Sequence, residues 1–260
     1  MLRLRITLPS MSLLRPVDIA AALPTRFGAD SSPCRTVWAL HCAMSNGDFF
    51  FDRLEASNLV DKKQIAFIAP SLGNGFFINS CYEQQADCLQ EILLTLREQF
   101  SLSPQPESNL VVGISMGAFG ALRWALTSDQ FGGVAAISGV FDCRIPADAR
   151  LRTNRAQRAL HAAFAKTMQR LLLNEDGTVR DDADFKSLIS QARGCPTIAL
   201  YCGRQDYLSL PQTLHLEQLC RQMGRPAALH LKDGEHDDRY WKDALYDAVS
   251  SFCRNQSTAA

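Results

Sequence analysis

The chain has 260 residues, 47% hydrophobic and 21% charged, with 27 basic side chains against 27 acidic ones. This is an ordinary globular composition, with apolar surface for a sizeable core in one large α/β domain or, less naturally, two small ones. The balanced charge leaves no long-range field to draw in nucleic acid or an acidic membrane surface, and no apolar run approaches the roughly 18 residues of a membrane-spanning helix, so a small or neutral partner is expected.

The first sixteen residues, MLRLRITLPSMSLLRP, lack the continuous apolar stretch and small-residue cleavage site of a secretory leader. The segments LRLRITLP and RPVDIAAALP predict a leading hairpin. TVWALHC, from Thr36 to Cys42, is a short apolar strand that ends in the turn cluster Ser45, Asn46, Gly47 and Asp48. QIAFIAP, from Gln64 to Pro70, is a second, followed by the loop SLGNG. NLVVGIS, GGVAAIS and TIALYCG repeat the form, and PAALHLKDG is a weaker version. Short, continuous apolar strands bounded by Gly, Pro or Ser belong to a parallel sheet covered on both faces.

Helical patterns alternate with these strands. The run from Tyr82 to Phe100 places Leu89, Ile92, Leu93 and Leu96 on one face. MGAFGALRWALTS follows the strand that ends at Ser115. PQTLHLEQLCRQMG starts on Pro211 and stops on Gly224, and DRYWKDALYDAVSSFCR closes the chain. The alternation predicts an open, mostly parallel α/β sheet. Residues 145–191 break it: LRTNRAQRALHAAFAKTMQRLLL reads as an amphipathic helix and NEDGTVRDDADF as a polar loop, together a helical insertion that is either a lid or a solvated excursion. Its six basic residues between Arg150 and Arg170 are offset by nearby acids and carry no interleaved aromatics, so they do not read as a nucleic-acid patch. NQSTAA reads as a frayed tail. The nine cysteines are odd in number and contain no CxxC pair, which reads as reduced, mostly buried thiols in a cytoplasmic protein without a zinc site.

The chemistry concentrates at Gly113-Ile114-Ser115-Met116-Gly117, a G-x-S-x-G pentapeptide between a buried strand and a helix. Such a serine stands on a sharp strand-to-helix turn with its hydroxyl clear of the sheet, and the flanking glycines let strand and helix pass close to the turn. Gly113, Gly117 and Gly120 do not form a dinucleotide fingerprint. A serine hydroxyl is a weak nucleophile and needs a base, and the base needs an orienting acid. His161, His215 and His230 fall within predicted helices or a strand. His236 lies in a loop after the last strand, and Asp206 stands just past the preceding strand, in the chain order Ser, Asp, His. Cys42 beside His41 is a packed thiol rather than a rival nucleophile, because adjacent side chains diverge on an extended strand.

The stretches ALHCAMSNGDFFFDR, GISMGAFGAL, YCGRQDYL and GEHDDRYW resemble the esterase D-type branch of the α/β-hydrolases, which includes tributyrin esterase, S-formylglutathione hydrolase and the mycolyltransferases. SLLRPVDIAAALP resembles that family's first hairpin, so the resemblance spans most of the chain and is weakest over 145–191. It implies a single α/β-hydrolase domain over 1–260, with Ser115 as nucleophile, Asp206 as acid, His236 as base, and an oxyanion hole from the backbone N–H groups of Met116 and Ala43. Three departures stand out: Cys42 where the family has a glycine, Ala118 for a second glycine, and Asp238 where a tryptophan is common. The implied activity is hydrolysis of short-chain acyl esters through an acyl-serine, with no cofactor and a small-molecule ester as substrate. A thioesterase acting on compounds such as S-formylglutathione, an acyltransferase, and a non-catalytic binding protein on the same fold are the alternatives, and a homo-oligomer is left open. Phe76, Phe77 and Trp241 are candidates for an apolar pocket wall or for the core.

Overall fold

In the computed structural model, residues 1–28, 33–151 and 153–255 are described. The tail read as frayed lies, beyond residue 255, outside them. Strands β1 (Leu2–Ser10) and β2 (Arg15–Leu23) form the leading hairpin, and β2 pairs antiparallel with β4 (Ile65–Pro70). From there the sheet is parallel: β4 pairs with β3 (Arg35–Leu40), then come β5 (Asn109–Ile114), β6 (Gly133–Ile137), β7 (Thr197–Gly203) and β8 (Ala228–Lys232), in the order β1-β2-β4-β3-β5-β6-β7-β8.

The expected strands and helices are therefore present, most with ends moved by a residue or two, while the helices expected from Tyr82 and Leu151 begin at Gln85 and Arg155. Three helices were not anticipated, Phe185–Ser190 in the insertion and two in the β3–β4 crossover. Helices α1 (Phe49–Asp52) and α2 (Ser57–Lys63) form the β3–β4 crossover, about one and two turns long, with too few apolar residues to show a helical period in sequence. The others are α3 (Gln85–Gln99), α4 (Met116–Thr127), α5 (Arg155–Leu172), α6 (Phe185–Ser190), α7 (Leu210–Gln222) and α8 (Asp238–Asn255).

Alternate residues of each central strand enter two separate cores. Trp38, Leu40, Ile68, Val111 and Leu200 face α3, α4, α6 and α7, while Val37, Ala39, Phe67, Val112 and Tyr201 face α1, α2 and α8. This is the period-two consequence of a sheet covered on both sides. Each fully buried Leu, Ile or Phe here contributes about 1.5–3 kcal/mol of transfer free energy. Phe76 and Phe77 belong to the first of these cores and do not wall a pocket; Phe76 packs edge-on to Phe119 at 5.6 Å.

The insertion touches the body along its length: Asp148 N–H donates to the Tyr207 carbonyl at 2.7 Å, and Phe164 lies against Phe76 at 5.3 Å. Asn154 and Gln157 form a reciprocal capping box that starts α5, but most of that helix is solvent-exposed, and Met168 and Leu172 are its buried residues. The polar loop after it is a tight turn closed by a bridge between Leu173 and Val179.

Candidate active site

Ser115 sits at the junction of β5 and α4 with φ 55° and ψ −112°. A non-glycine residue in that region costs on the order of 1–3 kcal/mol and persists only where its surroundings enforce it. Here the Ser115 N–H donates to the Ile137 carbonyl at 2.9 Å, and the Ser115 carbonyl accepts from Ala118 N–H at 3.1 Å. The two glycines have a direct steric cause. A Cβ on Gly113 would land on the Gly117 carbonyl oxygen, and one on Gly117 would land on the carbonyl of Leu40 at the end of β3. The elbow can therefore be tight, and the first turn of α4 lies against the loop that leaves β3.

Asp206 and His236 arrive from the loops after β7 and β8. These loops are laced together: Gln205 N–H donates to the Gly234 carbonyl at 3.0 Å, and the Gln205 side chain accepts from Gly234 N–H at 2.8 Å. The Asp206 carboxylate then lies 2.9 Å from Nδ1 of His236, and Nε2 of His236 lies 3.1 Å from the Ser115 hydroxyl. Ser115, His236 and Asp206 thus form one hydrogen-bonded line across three strand ends. Asp206 is 1% exposed. Burial by itself would raise its pKa, but the hydrogen bond and charge of His236 and the Ser209 N–H outweigh it and hold the carboxyl below its ordinary range. Trp241, on α8, packs edge-on against the His236 ring at 4.9 Å. Asp142, the other acid near the end of β6, is turned to Arg144 at 2.7 Å.

Of the two amides singled out for the oxyanion, that of Met116 belongs to the elbow itself. Met116 is the first residue of α4, where an N–H has no partner within the helix, and the helix N-terminus favours developing negative charge. Ala43 lies in the loop after β3, which is braced on both sides. His41 accepts from Leu72 N–H at Nε2, 3.2 Å, so Nδ1 carries the proton and donates to the Cys42 carbonyl at 2.8 Å. Met44 N–H donates to the Asn74 side chain at 2.7 Å. Burial lowers the His41 pKa, which suits a neutral structural imidazole. Burial likewise pushes the Cys42 thiol up to about 11, so it is no thiolate nucleophile.

A second serine also reaches the base. Ser209, fully buried at the start of α7, has its hydroxyl 3.2 Å from Nδ1 of His236 and 2.8 Å from the Ser138 carbonyl oxygen, while its N–H donates to Asp206 at 3.0 Å. Sequence reasoning missed it. Its one signal is the Asp-x-x-Ser spacing, which is also that of an ordinary helix start. Asp238 carries a partner that was not anticipated: its carboxylate accepts from Arg53 Nε at 2.8 Å.

An open cleft of about 830 Å³ leads to His236 and Asp206. One wall comes from the insertion, with Arg150, Thr153, Gln157 and His161, and the other from Gln205, Tyr207 and Glu235. Arg150 pairs with Asp148 at 2.7 Å and lies over the Tyr207 ring. No helix of the described residues is long and apolar enough to cross a membrane.

The Putative esterase family model matches residues 78–252, two thirds of the chain and the whole span from Ser115 to His236. The chain is 24% identical over 269 residues to an acetyl esterase of Caldicellulosiruptor saccharolyticus, covering 94% of this chain and 96% of that protein. Among solved structures, an S-formylglutathione hydrolase from Staphylococcus aureus superposes with a TM-score of 0.79 at 20% identity, covering 97% of this chain and 98% of the other. A ferulic acid esterase from Anaeromyces mucronatus superposes with a TM-score of 0.66 at 16% identity, covering 95% and 89%.

Proposed function

The chain belongs to this esterase family and is a serine hydrolase of carboxylic esters, and from that premise we propose that Ser115 is its nucleophile, His236 its base and Asp206 the acid that orients the base. The observation that carries the assignment is the line from Asp206 through His236 to Ser115, at 2.9 and 3.1 Å, ending on a serine held at a strained elbow. Nδ1 of the imidazole gives its hydrogen to Asp206, so the lone pair of Nε2 faces the Ser115 hydroxyl. Ser115 Oγ attacks the ester carbonyl as Nε2 takes its proton. The tetrahedral oxyanion is received by the N–H groups of Met116 and Ala43, worth about 3–4 kcal/mol per donor in comparable enzymes. The proton on Nε2 passes to the departing alkoxide, leaving an acyl-serine. Water, deprotonated by the same nitrogen, then releases the acid and regenerates Ser115.

Ser209 is the other serine within reach of His236, and its hydroxyl is on the wrong nitrogen. It meets Nδ1, the side already engaged by Asp206, and its own hydrogen is directed to the Ser138 carbonyl. It therefore has no base to deprotonate it.

The acyl group is read as short, acetyl to butyryl. The cleft at His236 is walled mainly by polar and charged side chains, and the aromatic groups beside the base are closed on one another, Trp241 on Phe49 at 6.0 Å. The cleft's apolar lining is Ala149, Leu151, Leu208 and the Tyr207 ring, set among charged groups that a long alkyl chain would have to pass. On this reading the chain is one α/β-hydrolase domain, with the 145–191 segment walling the entrance. Exposed free thiols at Cys81 and Cys195 support a cytoplasmic setting. The test is kcat/KM over esters and thioesters of graded acyl length for wild type and Ser115→Ala. Short esters turned over by wild type and not by the variant support the proposal; full activity in the variant overturns it.

A further inference from the structure

We infer that Ser209 is a positioning residue for the catalytic base, acting through its hydroxyl on Nδ1 of His236. The inference rests on the triad reading above. Three contacts converge on this one residue. Its N–H donates to one oxygen of Asp206 at 3.0 Å, while the other oxygen of that carboxylate faces Nδ1 at 2.9 Å. Its hydroxyl donates to the Ser138 carbonyl at 2.8 Å, so the oxygen's lone pairs are left to face Nδ1 at 3.2 Å. The Nδ1 hydrogen is thus shared between Asp206 and Ser209. Ser138, which takes the Ser209 hydrogen, is itself locked at φ 49° with its N–H on the Tyr201 carbonyl at 2.8 Å. The hydroxyl rotor of Ser209 therefore has one orientation, set by the ends of β6 and β7.

The consequence is electrostatic. When Nε2 takes the proton of Ser115, the imidazole becomes cationic and the Nδ1 hydrogen bonds strengthen. A fixed neutral acceptor beside Asp206 stabilises that cation more than it stabilises the neutral ring. It also stops the ring from swinging off Asp206, which would carry Nε2 away from Ser115. The other titratable groups around the ring are Asp206, with Cys202 and Tyr240 behind it, Glu235, Asp237 and the Arg53–Asp238 pair on the near side, and Arg150 and His161 across the cleft. None of them is altered by a substitution at 209.

Ser209→Ala removes the hydroxyl and keeps the backbone N–H on Asp206, so the two contributions separate. The full-length protein is assayed for kcat/KM on p-nitrophenyl acetate from acid to mildly alkaline pH, with thermal melting as a check on folding. The expected result is a loss of about tenfold at the plateau and an ascending limb displaced about half a pH unit to lower pH, because the imidazolium has lost an acceptor. Ser209→Thr, which keeps the hydroxyl, is expected to restore both the plateau and the midpoint. A rate loss with an unmoved midpoint in Ser209→Ala is the signature of a merely structural serine and overturns the inference. That midpoint decides alone where the threonine variant does not accumulate as folded protein. Total loss of turnover in Ser209→Ala with activity retained in Ser115→Ala overturns the triad reading itself, and is distinguishable for that reason.

Discussion

Replacing Asp206 with Asn changes one atom and reverses the logic of the site. In the wild type both carboxylate oxygens accept, one from Nδ1 of His236 at 2.9 Å and one from the Ser209 N–H at 3.0 Å. Asparagine has one acceptor and one NH₂ donor to offer these positions. The Ser209 N–H is a buried backbone donor that stays where it is, so the amide oxygen must serve it. The NH₂ then faces Nδ1, which can meet it only as an acceptor. The ring is forced into the tautomer with hydrogen on Nε2, and a protonated Nε2 cannot take the proton of Ser115. The expected loss in kcat is about 10⁴, the size of the same substitution in the serine-protease template, or about 5 kcal/mol of transition-state stabilisation. The assay is steady-state hydrolysis of p-nitrophenyl acetate at neutral pH, with circular dichroism to show that the fold is kept. A folded Asp206→Asn protein within tenfold of wild type would refute the tautomer argument and remove Asp206 from the acid's role.

Two further substitutions probe the surroundings. In Gly117→Ala the new methyl meets the backbone carbonyls of Leu40 and His41, so the elbow and the Ala43 loop must part; a shift near 1 Å costs on the order of 10²-fold, read as kcat/KM, and unchanged kinetics would show that the loop gives way freely. Asp238→Trp replaces the carboxylate paired with Arg53 by an apolar ring; over p-nitrophenyl esters the optimum should move from acetyl–butyryl toward longer chains, and an unchanged profile would place residue 238 outside the acyl site.

Much of this arrangement was legible because it is local. Buried strands read as apolar runs, and Gly113 and Gly117 announced a tight elbow whose cause is the closeness of their own neighbours in space. The chain order of Ser115, Asp206 and His236, each at a strand end, follows from the topology of the sheet. What escaped depends on contacts that no short stretch encodes. Arg53 meets Asp238 from 185 residues away. Ser209 looks like any residue at a helix start until β6 brings Ser138 beside it. Phe76 and Phe77 suited a pocket wall as well as a core in sequence, and their backbone at φ 57° and 56° folds both rings into the interior. Helix α1 has four residues, barely one turn, so the apolar pattern never repeats within it.

The most direct measurement is covalent labelling with a fluorophosphonate, followed by peptide mapping of the adduct by mass spectrometry. Phosphorus is attacked by the one serine whose hydroxyl is activated by Nε2 of His236, and the adduct cannot turn over. The account predicts stoichiometric labelling on the peptide that carries Ser115, none in Ser115→Ala, and strongly slowed labelling in His236→Ala. An adduct on Ser209, or an unlabelled Ser115 in a protein that hydrolyses esters, would contradict it.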